Sequence, residues 1–377
     1  MIKWLFKYGA VIFLFNTVFL SIQSTYSIGN LIFLALMGLY GLALIINPQQ
    51  IRDVIFHKAF FFLLIINALN IIYFLLFHSI DDFEALKYLL ARGVQFSIIS
   101  VSIYFNYDYY KIKFLDHIVY LVIFIVAIGL VFDPYILSGR YSGIIWNPNM
   151  LSSFVVLAFS VLFLKHQNHS FFNLFLLAIL LLVALSTGSR GGIIGIVLVF
   201  IIKYGLSVKN ILYGVLAISL FWIVSNIQLE TSINRIADQS MFNDRILQYK
   251  YAWLSIKERI FFGYGLDKYA YIDKSLVPHY IKGIISSHNG YLAIITQYGI
   301  IFGGIILFIT IKKSYQLLSY FRNNNESERI YFFIVIYTLI ASIYETLMTG
   351  INEFHTILFW FSFAILSFSK FQKEYES

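Results

Sequence analysis

Four short polar segments interrupt an otherwise apolar chain, and they carry the residue types from which a reaction centre could be built. The first reads Gly139-Arg140-Tyr141-Ser142-Gly143 and then Trp146-Asn147-Pro148-Asn149. Asn-Pro and glycine make a tight turn, and Asn149 is placed to cap the helix that follows. Read plainly, this is a turn with an ordinary cap; read chemically, it presents a cation and two amides. The second is Ser186-Thr187-Gly188-Ser189-Arg190-Gly191-Gly192. Its glycines allow close backbone approach and free amide groups for an anion, with Ser189 as a further donor. An arginine snorkelling beside a turn is the plainer account, but it leaves the flanking Gly-Gly and Ser-Thr-Gly-Ser unexplained.

The third segment is Asn243-Asp244-Arg245, followed by Tyr249, Trp253 and Ile256. Ile246, Tyr249, Trp253, Ile256 and Ile260 share one face at helical spacing, which predicts a helix lying along a membrane surface. Asn243 or Asp244 would cap it, leaving Arg245 in a first turn whose dipole prefers an acid. An anion would hold it there; a solvated arginine is the alternative. The fourth is Ser286-Ser287-His288-Asn289-Gly290-Tyr291-Leu292. A histidine titrates near neutral pH and can serve as a base, although an interfacial helix-capping histidine looks the same. His279 competes for that role but has no polar entourage. The remaining histidines, His57, His78, His166, His169 and His355, fall at the ends of apolar blocks.

Other chemistries have no carrier. With no cysteine, thiolate catalysis and thiolate metal sites are excluded. There is no Asp-x-Asp pair, P-loop, His-rich metal spacing or Gly-x-Ser-x-Gly elbow, so neither a cofactor nor a metal is expected. Acidic residues are almost missing from the apolar blocks, Glu345 being the exception. Proton- or sodium-coupled transport usually needs such groups near the midplane.

The elements that must position these segments are membrane helices. Of 377 residues, 60% are apolar and only 12% charged, whereas a soluble domain needs roughly 25% charged residues. The composition predicts an all-α polytopic membrane protein of about twelve crossings, each of about 20 apolar residues. The spans begin at Trp4, Ile28, Ala59, Leu86, Leu115, Met150, Phe171, Gly191, Asn210, Tyr291, Ile330 and His355. The fourth contains Arg92, and the eleventh is read as running to Met348.

The net charge of +8 is spread over block ends rather than gathered in a stripe, which argues against nucleic acid and orients the chain instead. Lys3, Lys7, Arg52, Lys58, Lys111, Lys113, Lys165, Lys203, Lys209, Lys312, Lys313, Arg322, Arg329, Lys370 and Lys373 fall on one side, predicted to be cytoplasmic. Residues 1–228 then hold nine helices, 229–287 an extracytoplasmic helical loop domain, and 288–377 three helices with a cytoplasmic tail. All four polar segments converge on the outer face.

In this order, the segments resemble the O-antigen ligase and O-antigen polymerase superfamily of bacterial inner membranes. The resemblance runs through Arg140-x-Ser-Gly and Asn147-Pro-Asn149, Ser189-Arg190-Gly-Gly, Arg245 and Trp253 ahead of Gly263-Tyr-Gly265, then His288-Asn289, Leu292 and Gly299. It covers roughly residues 139–304; the first four helices match only in hydropathy. One departure is Gln297-Tyr298-Gly299, where such proteins often carry an acid ahead of the glycine.

The resemblance implies a metal-independent glycosyltransferase of C-type architecture that uses no nucleotide sugar and takes glycan from undecaprenyl diphosphate at the periplasmic face. Arg190 and Arg245 would then stabilise the departing diphosphate, and His288 would accept the proton of the acceptor hydroxyl. Arg140, Asn147, Asn149, Ser189 and Asn289 would bind substrate. The acceptor is either a lipid-linked repeat unit, making a polymerase, or lipid A–core, making a ligase. The larger variety of polymerases favours the former, and a chain-length regulator is a possible partner. A lipid-linked oligosaccharide flippase is the competing class; it would explain the helices and the charge but not a long outer segment bracketed by Arg245 and His288.

Overall fold

The computed structural model describes residues 2–136, 139–165, 170–210, 212, 240–279, 281, 286–322 and 326–376. The ninth expected span and the first part of the expected outer segment lie outside these residues. Every other expected span coincides with a helix: α1 (Ile2–Ser21), α2 (Tyr26–Ile46), α4 (Phe61–Phe77), α5 (Phe83–Phe105), α7 (Phe114–Phe132), α8 (Pro148–Lys165), α9 (Phe171–Ser186), α10 (Arg190–Tyr204), α12 (Gly290–Phe321), α13 (Glu326–Ala341) and α14 (Phe354–Glu376). Two short helices, α3 (Pro48–Ile55) and α6 (Tyr107–Ile112), bridge neighbours, and α11 (Ser240–Glu258) precedes α12. Among the described residues, seven helices are long and apolar enough to cross a membrane. The protein is an all-α, multi-pass membrane protein.

Its packing follows from having lipid outside. Leu31, Ile45, Leu75, Val131 and Phe132 are largely exposed, as expected where hydrocarbon rather than water is the neighbour. The most buried helix is α14, in which nearly every residue from Phe354 to Phe368 is covered. It packs on α1, α5, α12 and α13, while α8 packs on α7, α9, α10 and α13. Serines and threonines inside the bundle bond to carbonyls three or four residues back, as Ser160, Ser314 and Ser362 do. Such bonds satisfy hydroxyls where no water is at hand.

Three local features depart from expectation and each bears on the site. First, α13 ends at Ala341 instead of running to Met348, and residues 342–353 are irregular. Buried irregular backbone must find side-chain donors. Here Arg92 donates to the carbonyls of Thr349 (2.5 Å) and Gly350 (3.2 Å), Tyr88 to Thr349 (3.1 Å) and Trp360 to Met348 (3.2 Å); Gln95 donates to Ile351. Secondly, α11 begins at Ser240, so Asn243 and Asp244 lie within the helix rather than at its cap. Arg245 therefore falls beyond the first turn, and the dipole argument for its placement lapses. The buried face of α11 is Tyr251, Ala252, Ser255 and Ile256, while Ile246 and Trp253 stay exposed.

Thirdly, α12 is kinked at Gly299, whose φ is 70°. The kink lets the chain at 260–265 lie against it. Tyr264 and Gly265 donate backbone bonds to Thr296 and Gln297, and Ile300 and Ile301 donate to Ile260 and Phe261. A β-carbon on Gly299 would sit 2.2 Å from the Phe261 carbonyl oxygen, and one on Gly263 would sit 2.5 Å from the Gly299 nitrogen. Only glycine permits that approach. Gln297, standing where an acid was a possibility, is buried and donates to the Leu266 carbonyl. Its role is to fasten this joint.

Candidate active site

The four polar segments meet at one end of the bundle, and the residue at their centre is Glu345. Its Oε1 accepts from Arg245 Nη2 at 3.1 Å and from Asn149 Nδ2 at 3.1 Å. Its Oε2 lies 3.4 Å from His288 Nδ1. Asn149 Oδ1 in turn accepts from Arg140 Nη2 at 2.5 Å, and Arg140 Nε donates to the Thr187 carbonyl at 3.1 Å. One carboxylate thus joins the first, third and fourth segments, and Arg140 ties them to the second. Glu345, Arg245 and His288 have side chains 23%, 27% and 37% exposed, so the cluster is reachable from outside yet partly screened from bulk solvent.

Each side chain is held from behind. Asn147, not Asn149, caps α8: its Oδ1 accepts from the Asn149 amide at 2.8 Å. That assignment frees the Asn149 side chain for the cluster. Ser189 is the N-cap of α10, accepting from Gly192 at 3.4 Å, and Arg190 is the helix's first residue. Gly191 and Gly192 are needed for packing: β-carbons there would meet the Tyr344 ring at 3.0 Å and Ser152 Oγ at 2.0 Å. The Arg190 turn is thereby pressed against Tyr344, the residue before Glu345.

His288 has a φ of 41°, a left-handed conformation uncommon for a non-glycine residue and frequent at functional sites. Its neighbour Asn289 fixes it there. Asn289 Oδ1 caps α12 by accepting from Tyr291 (3.0 Å) and Leu292 (2.9 Å), while Nδ2 donates to the Ile343 carbonyl at 2.7 Å. The Tyr249 hydroxyl donates to the same carbonyl at 2.6 Å, and the Gly290 amide to Ser342 at 2.7 Å. His279 is exposed and lies outside the contacts of Glu345 described above.

The structure therefore brings together Arg140, Asn149, Arg245 and His288 directly, and places Ser189, Arg190 and Asn289 on the same packed turns; Asn147 is a cap. Glu345, Tyr249 and Thr187 were missed as members. Glu345 did carry a signal, as the one acid standing out from the apolar blocks. Among the described residues, no three His, Asp or Glu side chains come together as metal ligands would. The cluster can bind an anion through its arginines and move a proton through a carboxylate-oriented imidazole.

Fold and site together define a polytopic membrane protein with a cationic, imidazole-bearing cluster at the ends of its helices. Residues 175–309 match the family model described as O-antigen ligase. The chain is similar to the O-antigen ligase and polymerase superfamily over that stretch, which carries Ser189, Arg190, Arg245, His288 and Asn289 and stops short of Arg140, Asn149 and Glu345. No curated protein matches the chain.

Proposed function

We propose that the protein is an inner-membrane glycosyltransferase that moves glycan from undecaprenyl diphosphate to an acceptor hydroxyl at the periplasmic face. The acceptor in this reading is a second lipid-linked repeat unit, which makes the enzyme a polysaccharide polymerase. The observation that carries it is the meeting of Arg245, His288 and Asn149 on Glu345 beside the Arg190 turn, within the stretch similar to O-antigen ligase.

The acceptor oxygen attacks the anomeric carbon and the bond from that carbon to the diphosphate oxygen breaks. The electron pair leaves with undecaprenyl diphosphate, and the acceptor proton passes to His288. Arg190 and Arg245 face the charge that grows on the leaving group, a task a planar guanidinium performs through paired hydrogen bonds. Glu345 bonds Nδ1 of His288, which orients the ring and leaves Nε2 to take the proton, and favours the imidazolium once formed. In the resting state Glu345 also holds Arg245; an arriving diphosphate competes for that fork. Arg140 and Asn149 steady the carboxylate. In the accompanying organisation, residues 229–287 form an outer domain between nine helices and three, and both termini are cytoplasmic.

Purified protein in liposomes, given undecaprenyl-diphosphate-linked oligosaccharide, should lengthen glycan on a lipid-linked repeat unit, and EDTA should not stop it. Transfer only to lipid A–core would make it a ligase, and transport without transfer would make it a flippase. Activity lost to EDTA and restored by magnesium or manganese would overturn the arginine account. A reporter fused after Asp267 should behave as periplasmic and one fused after Asn324 as cytoplasmic; the reverse pattern would put the site on the wrong side of the membrane.

A further inference from the structure

A cleft of about 370 Å³ opens among the starts of α2 and α5, residues 267–269 and the end of the irregular 342–353 segment. Its walls mix phenol rings with carboxyl and amide groups: Tyr26, Tyr88 and Tyr269 on one hand, Glu84, Asp267 and Glu353 on the other. The Tyr88 and Tyr269 rings lie 6.3 Å apart, tilted by 33°, and Tyr26 and Tyr269 are both well exposed. We propose that this cleft binds the neutral sugars of the acceptor glycan and presents its end to the Glu345 cluster. This rests on the transferase reading for the identity of the ligand, but not for the existence of the site.

Three observations select a neutral glycan. First, ring faces beside acceptor groups suit sugars, whose C–H faces pack on aromatic rings while their hydroxyls donate to carboxylates and amides. Second, the charges are balanced. Lys87, which lines the cleft, meets Glu84 at 3.4 Å, and Lys268 meets Asp267 at 2.5 Å, so both of these cations already face a carboxylate rather than waiting for a phosphate or uronate. Third, Asn352 in the wall has a buried side-chain oxygen without a hydrogen-bond partner among the described residues. A buried acceptor left without a donor is costly, and a sugar hydroxyl would supply the donor. The Glu353 carboxyl, pushed up to about 7 by burial, can donate as well as accept.

The cleft is tied to the reaction centre through a single piece of chain. Glu345 and Glu353 stand towards opposite ends of one irregular segment, and Arg92 and Tyr88 clamp its middle at Thr349 and Gly350. The two acids lie eight residues apart on that segment (353 − 345), so the sites share one short piece of chain. A β-carbon at Gly350 would lie 2.3 Å from the Glu353 carboxyl carbon, so the side chain folds back against the segment it belongs to. A glycan seated on Tyr269 and Glu353 would have its terminal hydroxyl directed along this segment towards His288.

The test is direct binding to the purified full-length protein by saturation-transfer NMR. The probes are short oligosaccharides of neutral hexoses, N-acetylhexosamines and uronic acids, with inorganic pyrophosphate measured in parallel. Neutral or N-acetylated probes should bind, and their signal should fall at least fivefold in Tyr269→Ala and in Glu353→Leu. The same signal should persist in the Arg190→Ala/Arg245→Ala double variant, whereas pyrophosphate binding should show the opposite dependence. Sugar binding indifferent to both cleft substitutions, preference for uronates, or no binding of any sugar overturns the cleft assignment. Pyrophosphate binding indifferent to the arginines would instead overturn the donor site while leaving the cleft standing. Circular dichroism and thermal melting of each variant separate lost binding from lost fold.

Discussion

Arginine meets the irregular 342–353 segment in two places, and the two contacts are built differently. At one, Arg92 is 3% exposed. Its guanidinium lies 5.5 Å from the Tyr88 ring centre and 5.4 Å from that of Phe96, and its Nη2 bonds two main-chain carbonyls and a phenol. At the other, Arg245 is more than a quarter exposed and meets a carboxylate that also faces an amide and an imidazole. The first contact replaces missing helical hydrogen bonds. The second holds a charge that a ligand can take over. A charged residue within apolar sequence is by default a functional candidate; what separates these two is partner and exposure. Carbonyl partners deep inside mark a clamp, and an ionised partner at the rim marks a candidate site.

Substitutions sharpen that contrast. The largest effect belongs to the rim. His288→Ala should lower the transfer rate on the order of 10²–10⁴-fold, and Arg190→Ala or Arg245→Ala about a hundredfold or more, about 3 kcal/mol. Lysine should restore only part of it, and His279→Ala should stay near wild type. All of these should leave the amount of protein in the membrane near normal, as read by blotting of membrane fractions. An active Arg190→Ala and Arg245→Ala pair would erase the distinction between site and clamp.

Next comes Arg92→Leu. It takes the arginine donor from the Gly350 carbonyl and leaves the Thr349 carbonyl with Tyr88, at about 1–3 kcal/mol for a buried group left unpaired. Thermal stability in detergent and membrane abundance should both fall, so that activity drops through loss of protein. Full abundance with dead activity would move Arg92 into the site. Within the cluster the smallest effect is expected for Glu345→Gln, which keeps the shape but removes the charge opposite Arg245 and His288. The loss should be about tenfold in rate, about 1.5 kcal/mol, with little change in melting temperature. A wild-type rate would remove Glu345 from its positioning role.

Hydropathy made the helices legible because a lipid-facing segment must be apolar along its whole length; α9, for instance, begins at Phe171, where the sequence places it. The last turns of α13 were not legible, since Ile343, Leu347 and Met348 keep the segment apolar while its backbone leaves the helix for partners over 250 positions away in sequence. The arginines and His288 could be found from local context, glycines and caps above all. Glu345 could not be given its role that way, because nothing near it in sequence reveals that Asn149, Arg245 and His288 converge on it. The cap of α8 shows the same limit on a smaller scale: Asn147 and Asn149 are equally suited by type, and only the fold decides which one turns outwards to Arg140.

The joint between residues 260–265 and the kink at Gly299 is written almost wholly in main chain. Amide and carbonyl groups are the same in every residue, so beyond its two glycines this seam asks of the sequence only a few side-chain donors, Gln297 and Tyr73 among them. Side chains on that stretch can therefore change while its distance from α12 stays fixed; in the proposed transferase, variety of ligand and constancy of geometry would fall to different atoms of the same stretch of chain.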